Sequence, residues 1–254
     1  DCSRGLEYLH QGLKKYTGSG YDSEWRRGFI IRLINSAHYN LALEQIELAE
    51  SFASNDLEIM HLYLINGYYN FSIKNYLLAT ENYYQAMQYF NNSDIISQHN
   101  WDYRLLLSDL GYSYYYLGEY EQAITYFKQC LEIVFEVNDD DNEWALYTNI
   151  KMALAYAKMD NFEKSREFYK IANKYDENFK EPFPYNKPYG DLYKLHILYG
   201  DTLTARTFLD SAYHKIMNQS NKYSNIQDKD IYLNQSAYNK EIVEQWKKLT
   251  LVKN

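Results

Sequence analysis

Over 254 residues there are only two cysteines, three prolines and ten glycines. So few helix breakers, in a chain where Leu, Ala, Glu, Gln and Lys recur throughout, predict a mostly helical protein. Cys2 lies at the N-terminus and Cys130 within an amphipathic helix, a placement that argues against a disulfide between them. Asp1 fills the place before Cys2 where a lipid-attachment site carries a small residue. No run of about 18 apolar residues occurs, so nothing in the sequence spans a membrane as a helix. Basic charge is also short, with 26 Lys and Arg against 34 Asp and Glu. The resulting −8 argues against a direct nucleic-acid contact, which needs clustered Lys and Arg.

Catalytic signatures are missing too. The sequence has no Gly-rich phosphate loop, no G-x-S-x-G, no H-E-x-x-H and no C-x-x-C. His10, His38, His61, His99, His196 and His214 are scattered, with no pair at metal-ligand spacing. "NDDDNEW" at 138–144 lacks the alternating ligands and mid-loop glycine of a calcium loop, and reads as a solvated turn whose Asp141 or Asn142 caps the next helix. The expectation is a non-catalytic protein without cofactor or metal.

In excess is tyrosine, at thirty residues. The segment "LSDLGYSYYYLGEYEQAITYF" (107–127) places Tyr112, Tyr114, Tyr115, Tyr116, Tyr120 and Tyr126 within fifteen residues. A tyrosine buries a large ring and keeps a hydroxyl that seeks a partner, so the run is a core, a binding surface, or both.

An internal period organises the chain. Ala123, Phe127 and Cys130 are spaced i, i+4, i+7 and share one helical stripe. The small–large–small stripe recurs as Ala42–Ile46–Ala49, Ala79–Tyr83–Ala86, Ser165–Tyr169–Ala172 and Ala205–Leu209–Ala212, with a fainter copy, Gly5–Leu9–Gly12, upstream. First small positions are 37, 44, 42 and 40 residues apart. Three residues before each stands an aromatic (Tyr39, Tyr76, Tyr120, Phe162), with Thr202 as the exception. A second apolar helix precedes each stripe, and two of these carry mid-helix glycines, Gly67 and Gly111. Mid-helix glycine costs about 1 kcal/mol against alanine, which a close helix–helix approach would justify. The pattern predicts antiparallel helix pairs, each burying its face on the next.

These residues resemble the tetratricopeptide repeat. "LGYSYYYLGEYEQAITYFKQC" supplies Leu110, Gly111, Tyr114, Gly118, Tyr120, Ala123, Phe127 and Cys130 at the family's positions. The resemblance covers about residues 23–214, with periods above the usual 34 and without the usual closing proline. It implies an all-α, right-handed superhelical solenoid of about five antiparallel helix pairs, forming one domain over 1–254. Its parts are a half repeat at 3–16, repeats at about 23–56, 60–93, 104–137, 146–179 and 186–219, and a capping helix at 228–249. Pro182, Pro184 and Pro188 mark an irregular elbow before the last repeat.

The resemblance also implies a concave wall. It is built from Arg27, Ile31 and Asn35; His61, Leu64, Tyr68 and Phe71; Ser108, Tyr112, Tyr115 and Tyr116; and Tyr147, Ile150, Leu154 and Lys158. Residues expected to bind are Arg27, Asn35, His61, Tyr68, Phe71, Tyr112, Tyr115, Tyr116, Tyr147 and Lys158. Tyr114 and Tyr120 belong instead to helix packing. An aromatic, lightly charged wall suits an extended or helical peptide and not a carboxylate clamp. The implied function is that of a peptide- or protein-binding module, the sensing or interaction part of a bacterial regulator. A structural assembly scaffold and a glycan-binding repeat protein are the alternatives. The chain opens with Asp1 and not Met, so the expectation is that a signal sequence, another domain or a tag was removed upstream, with a place outside the cytoplasm slightly favoured over one within it.

Overall fold

The structure is a computed structural model that describes residues 3–5, 7–8, 11, 22–90, 99–136, 142–177 and 188–251. Leu9 and Gly12 of the upstream stripe, Cys2, the acidic turn at 138–141 and the Pro182–Pro184 segment lie outside the described residues. No strand occurs among the described residues; 3–5, 7–8 and 11 are helical, and after them come α1 (Asp22–Asn35), α2 (Tyr39–Glu50), α3 (Asp56–Ser72), α4 (Tyr76–Gln88), α5 (Asn100–Leu117), α6 (Tyr120–Glu136), α7 (Asn142–Lys158), α8 (Phe162–Glu177), α9 (Tyr189–Leu198), α10 (Thr202–Ser220), α11 (Ile226–Asn234) and α12 (Ala237–Leu251). Where the sequence predicts one array over 1–254, the contacts group into two compact units, residues 1–89 with 213–254, and residues 90–212.

The stripes are where the helices meet. Ala42, Ala79, Ala123, Ser165 and Ala205 are each fully buried, and so are Phe127, Cys130, Ala172 and Leu209 or nearly so. A Cβ built on Gly67 would collide with the ring of Tyr83, and one on Gly111 with the ring of Phe127, both closer than real side-chain contacts allow. Gly67 and Gly111 are therefore notches, each filled by the bulky residue of the paired helix, whereas Gly28, midway along α1, meets nothing within 4 Å. Two of the small stripe positions hold polar atoms, and both reach a carbonyl on the first helix of the pair. Ser165 Oγ donates to Ala153 O at 2.7 Å, and Cys130 Sγ to Arg104 O at 3.6 Å. Burial pushes the Cys130 thiol up to about 11, so this sulfur behaves as a small apolar group.

The turn inside each pair has one construction, used five times. A residue in the left-handed region sits five positions before the first small residue: Ala37, Lys74, Gly118, Asp160 and Gly200. Its N–H bonds three residues back, as in Ala37 N–H to Ile34 O at 2.9 Å and Gly118 N–H to Tyr115 O at 3.2 Å. The next N–H reaches five residues back, as in His38 to Leu33 O, Asn75 to Asn70 O, Glu119 to Tyr114 O, Asn161 to Tyr156 O and Asp201 to His196 O, at 2.8–3.0 Å. This is the Schellman closure of a helix. The carbonyl of that next residue then accepts the N–H of the first small residue, opening the second helix. Asn161 and Asp201 also cap it with their side chains, accepting from Lys164 N at 3.2 Å and Thr204 N at 3.1 Å.

The end of the chain departs from expectation. In place of a capping helix at 228–249 there are two, α11 and α12, parted at Gln235–Ser236. Ser236 Oγ accepts from Asn239 N at 3.3 Å, and Asn239 Nδ2 donates to Tyr232 O at 2.8 Å. A serine that can cap a new helix three residues before a hydrogen-bonding Asn is a start signal inside what reads as one amphipathic run.

Only two of the five left-handed positions are glycine, and an L side chain there costs on the order of 1 kcal/mol. Lys74→Gly is expected to raise stability by about that amount, and Gly118→Ala, whose added Cβ meets nothing within 4 Å, to lower it similarly. Chemical denaturation of the two variants checks the pair.

Candidate functional site

In the unit formed by residues 90–212, α5, α7 and α9 are the first helices of three successive pairs. Residues 112, 115 and 116 recur at i, i+3, i+4 on α5 and share a face. Their rings touch, with centroids 6.4 Å apart for Tyr112–Tyr115, 5.9 Å for Tyr112–Tyr116 and 5.3 Å for Tyr115–Tyr116. Tyr114 leaves this face and stacks on Tyr126 of α6 at 5.6 Å with rings 4° from parallel. The tyrosine run thus divides as the helical period requires. Tyr120, expected to serve packing alone, also touches Tyr115 at 5.6 Å.

The three face tyrosines differ in depth. Tyr116 is exposed at 37%, the most open of the three. Tyr112 and Tyr115 are partly buried and pack on the core of Ala123, Phe127 and Met152, with the Tyr112 ring 6.0 Å from that of Phe127. Two of the face rings are therefore also packing rings.

Charged groups gather beneath them. The Tyr112 hydroxyl donates to the Asp191 carboxylate on α9. Lys151 Nζ on α7 donates to Ser108 Oγ at 2.9 Å and stands 3.7 Å from the Tyr112 ring centroid, a cation–π contact. Lys194 Nζ lies 5.9 Å from the ring centroid of Tyr116. Burial lowers the pKa of Lys151, while Asp109 and Asp191 pull it back up. Burial pushes Tyr112 well above the usual phenol value, and the Asp191 charge adds to that; Tyr115 rises for the same two reasons.

Asp109, Lys151 and Asp191 occupy one repeat position, each fourteen residues before the first small residue of its pair. Three successive first helices thus present Asp, Lys and Asp in a row. Lys194 holds the fifth-pair equivalent of Tyr112, eleven residues before the small position. Sequence reasoning missed all four charged groups because the wall was not carried into the fifth pair and was read one residue away from the ladder. The face is accordingly more charged than the lightly charged wall expected.

The remaining candidates fall elsewhere. In the other unit the Tyr68 hydroxyl donates to Asn35 Oδ1, while Arg27, His61 and Phe71 are partly buried, Phe71 meeting Tyr76 edge-on at 5.5 Å. On α7, Tyr147 is partly buried and Lys158 exposed. Ile31 is partly buried. Leu64, Ile150 and Leu154, expected on the wall, are buried at 8%, 1% and 2%, because the apolar members of that helical face turn toward neighbouring helices.

One arrangement has the look of nucleophile chemistry. Ser36 Oγ lies 3.0 Å from His38 Nδ1, and His38 Nε2 3.3 Å from Asp228 Oδ1. The serine hydroxyl, however, donates to Arg32 O at 2.8 Å, and Ser36 is 5% exposed. Leu33 O at 3.1 Å is a further acceptor, so two backbone carbonyls compete with the histidine for the single hydroxyl proton. In the 90–212 unit, buried His196 is held by Tyr169 Oη at 3.1 Å and Asp201 Oδ2 at 3.3 Å, a satisfied core histidine.

Raised folded-state phenol values make stability fall in alkali. Below the unfolded value of 10 the contribution is complete, and it is lost as pH rises above 10 toward the folded values. Phenolate absorbance is expected to show late-ionising tyrosines, fewer by two in Tyr112→Phe/Tyr115→Phe because Tyr39, Tyr69, Tyr103 and Tyr199 are also raised by burial, with a shallower loss of melting temperature above pH 10 than in the parent.

Residues 102–172 match the tetratricopeptide repeat family model. No curated protein matches the sequence. Among solved structures, BtubC (BKLC) from P. vanneervenii is 14% identical with a TM-score of 0.58, covering 88% of this chain and 91% of that one. The Rap conjugation gene regulator of the plasmid pLS20, in complex with the Phr* peptide, is 12% identical with a TM-score of 0.58, covering 94% of this chain and 69% of that one. At such identities the likeness is one of fold. The repeat signature thus lies in α5–α8, and the chain shares an all-helical repeat fold with both structures along most of its length.

Proposed function

We propose that this chain is a non-catalytic peptide- or protein-binding module, the ligand-sensing or interaction part of a bacterial regulator. The bound segment lies on the tyrosine face of the 90–212 unit. The observation that carries this reading is Tyr116, an exposed ring with a hydroxyl at its tip, set against Tyr112 and Tyr115 and flanked by Lys194. Rings supply contact area at small entropic cost, and hydroxyls orient a backbone. The repeat match supports a recognition surface, and the similar Rap regulator is described in complex with a peptide.

The test is panning of a displayed peptide library on the immobilised chain, followed by alanine substitution and titration with the selected peptide. Tyr116→Ala is expected to weaken that complex by about 1–3 kcal/mol with little change in melting temperature. Tyr114→Ala, which removes the ring stacked on Tyr126, is expected to destabilise the fold by about 3 kcal/mol and to leave affinity unchanged in the folded fraction. Unchanged affinity in Tyr116→Ala would remove the tyrosine face as the binding surface.

A further inference from the structure

We propose that the Asp109–Lys151–Asp191 row, closed by the Tyr112 hydroxyl on Asp191, is a latch that holds the tyrosine face shut and that a bound segment releases. The proposal rests on reading that face as the binding site.

The contact joins helices that are not neighbours in the repeat order. Tyr112 is on α5 and Asp191 on α9, and Lys151 of α7, between them in the repeat order, stands against the Tyr112 ring. A segment laid across the three first helices must pass over this bond or replace it. Lys194 crosses the same way toward Tyr116.

The helix on the far side is short, at ten residues. On α7 its Leu192 packs with Leu146 and Ile150 and its Leu195 with Ala153, Leu154 and Ala157, while Tyr169 of α8 and Phe208 of α10 pack on its His196. Asp191 and Lys194 reach across to α5. A row of two carboxylates and one ammonium, half withdrawn from water, pays desolvation against its Coulomb attraction and comes out near balance. Opening returns water to Lys151, Asp191 and the Tyr112 hydroxyl, which offsets much of the attraction lost. A segment whose own groups take over these contacts can therefore release the latch.

Tyr112→Phe tests the latch, since it deletes the donor and leaves the ring on Phe127 and Lys151. Amide hydrogen exchange in residues 189–198 is expected to quicken at least about tenfold, with exchange in α3 and α4 unchanged. Asp191→Ala, which removes the acceptor on α9, is expected to do the same and serves should the first variant fold poorly. Tyr116→Phe is expected to change nothing in α9. Unaltered exchange in both latch variants would overturn the proposal. Panning one displayed peptide library on parent and Tyr112→Phe adds the ligand: stronger retention by the variant supports release, and equal retention contradicts it. Retention by neither sinks the binding reading of the face, and release by a ligand with it, while the exchange result still decides whether the contact holds α9.

Discussion

Everything in this fold depends on how closely the two helices of a pair approach. Gly67 and Gly111 remove the side chain where the partner's Tyr83 or Phe127 ring must lie, and fully buried Ala79 and Ala123 keep the opposing surface low. A ring seated this deeply makes many dispersion contacts and sheds most of its hydrated area, which offsets the roughly 1 kcal/mol that each helical glycine costs. Close approach then fixes where the rest of the first helix points. On α5 the period that brings Gly111 against Phe127 sends Tyr114 to Tyr126 and leaves Tyr112, Tyr115 and Tyr116 together on another face. The candidate site is thus a geometric consequence of the packing.

The turn repeats that constraint in the backbone. Five Schellman closures set the same offset between a left-handed residue and the first small residue, although Ala37, Lys74 and Asp160 fill three of the positions. Non-glycine residues persist where the surrounding packing dictates the conformation. Constant turn geometry also explains the charged row, because Asp109, Lys151 and Asp191 meet only if three pairs keep one register.

Much of the fold was legible because it is written in spacing. The i, i+4, i+7 stripes identify the buried faces, Gly67 and Gly111 mark two notches, and the period identifies the pairs. What escaped was written in contacts between distant pairs. Asp191 lies 79 residues from Tyr112, and no local pattern announces their bond. Ile150 and Leu154 share a face with the other expected wall positions, and only the packing of α7 against its neighbours shows them to be core. The break between α11 and α12 escaped because Ser236 reads as an ordinary polar residue in an amphipathic run, and only its cap bond reveals a helix start. The division of the tyrosines, by contrast, followed from angle alone.

The notch can be tested by a substitution whose two explanations differ in sign. In an ordinary helix interior, Gly→Ala stabilises by about 1 kcal/mol. If the Phe127 ring occupies the space over Gly111, Gly111→Ala should instead destabilise by about 1–3 kcal/mol through overpacking. Part of that loss should vanish when measured in a Phe127→Leu background, where the ring is gone. Chemical denaturation of the four proteins of this cycle gives the answer directly. A loss in Gly111→Ala that shrinks in the Phe127→Leu background is the predicted result. A gain in stability, or a loss equal in both backgrounds, would contradict the close helix approach on which the fold and its tyrosine face depend.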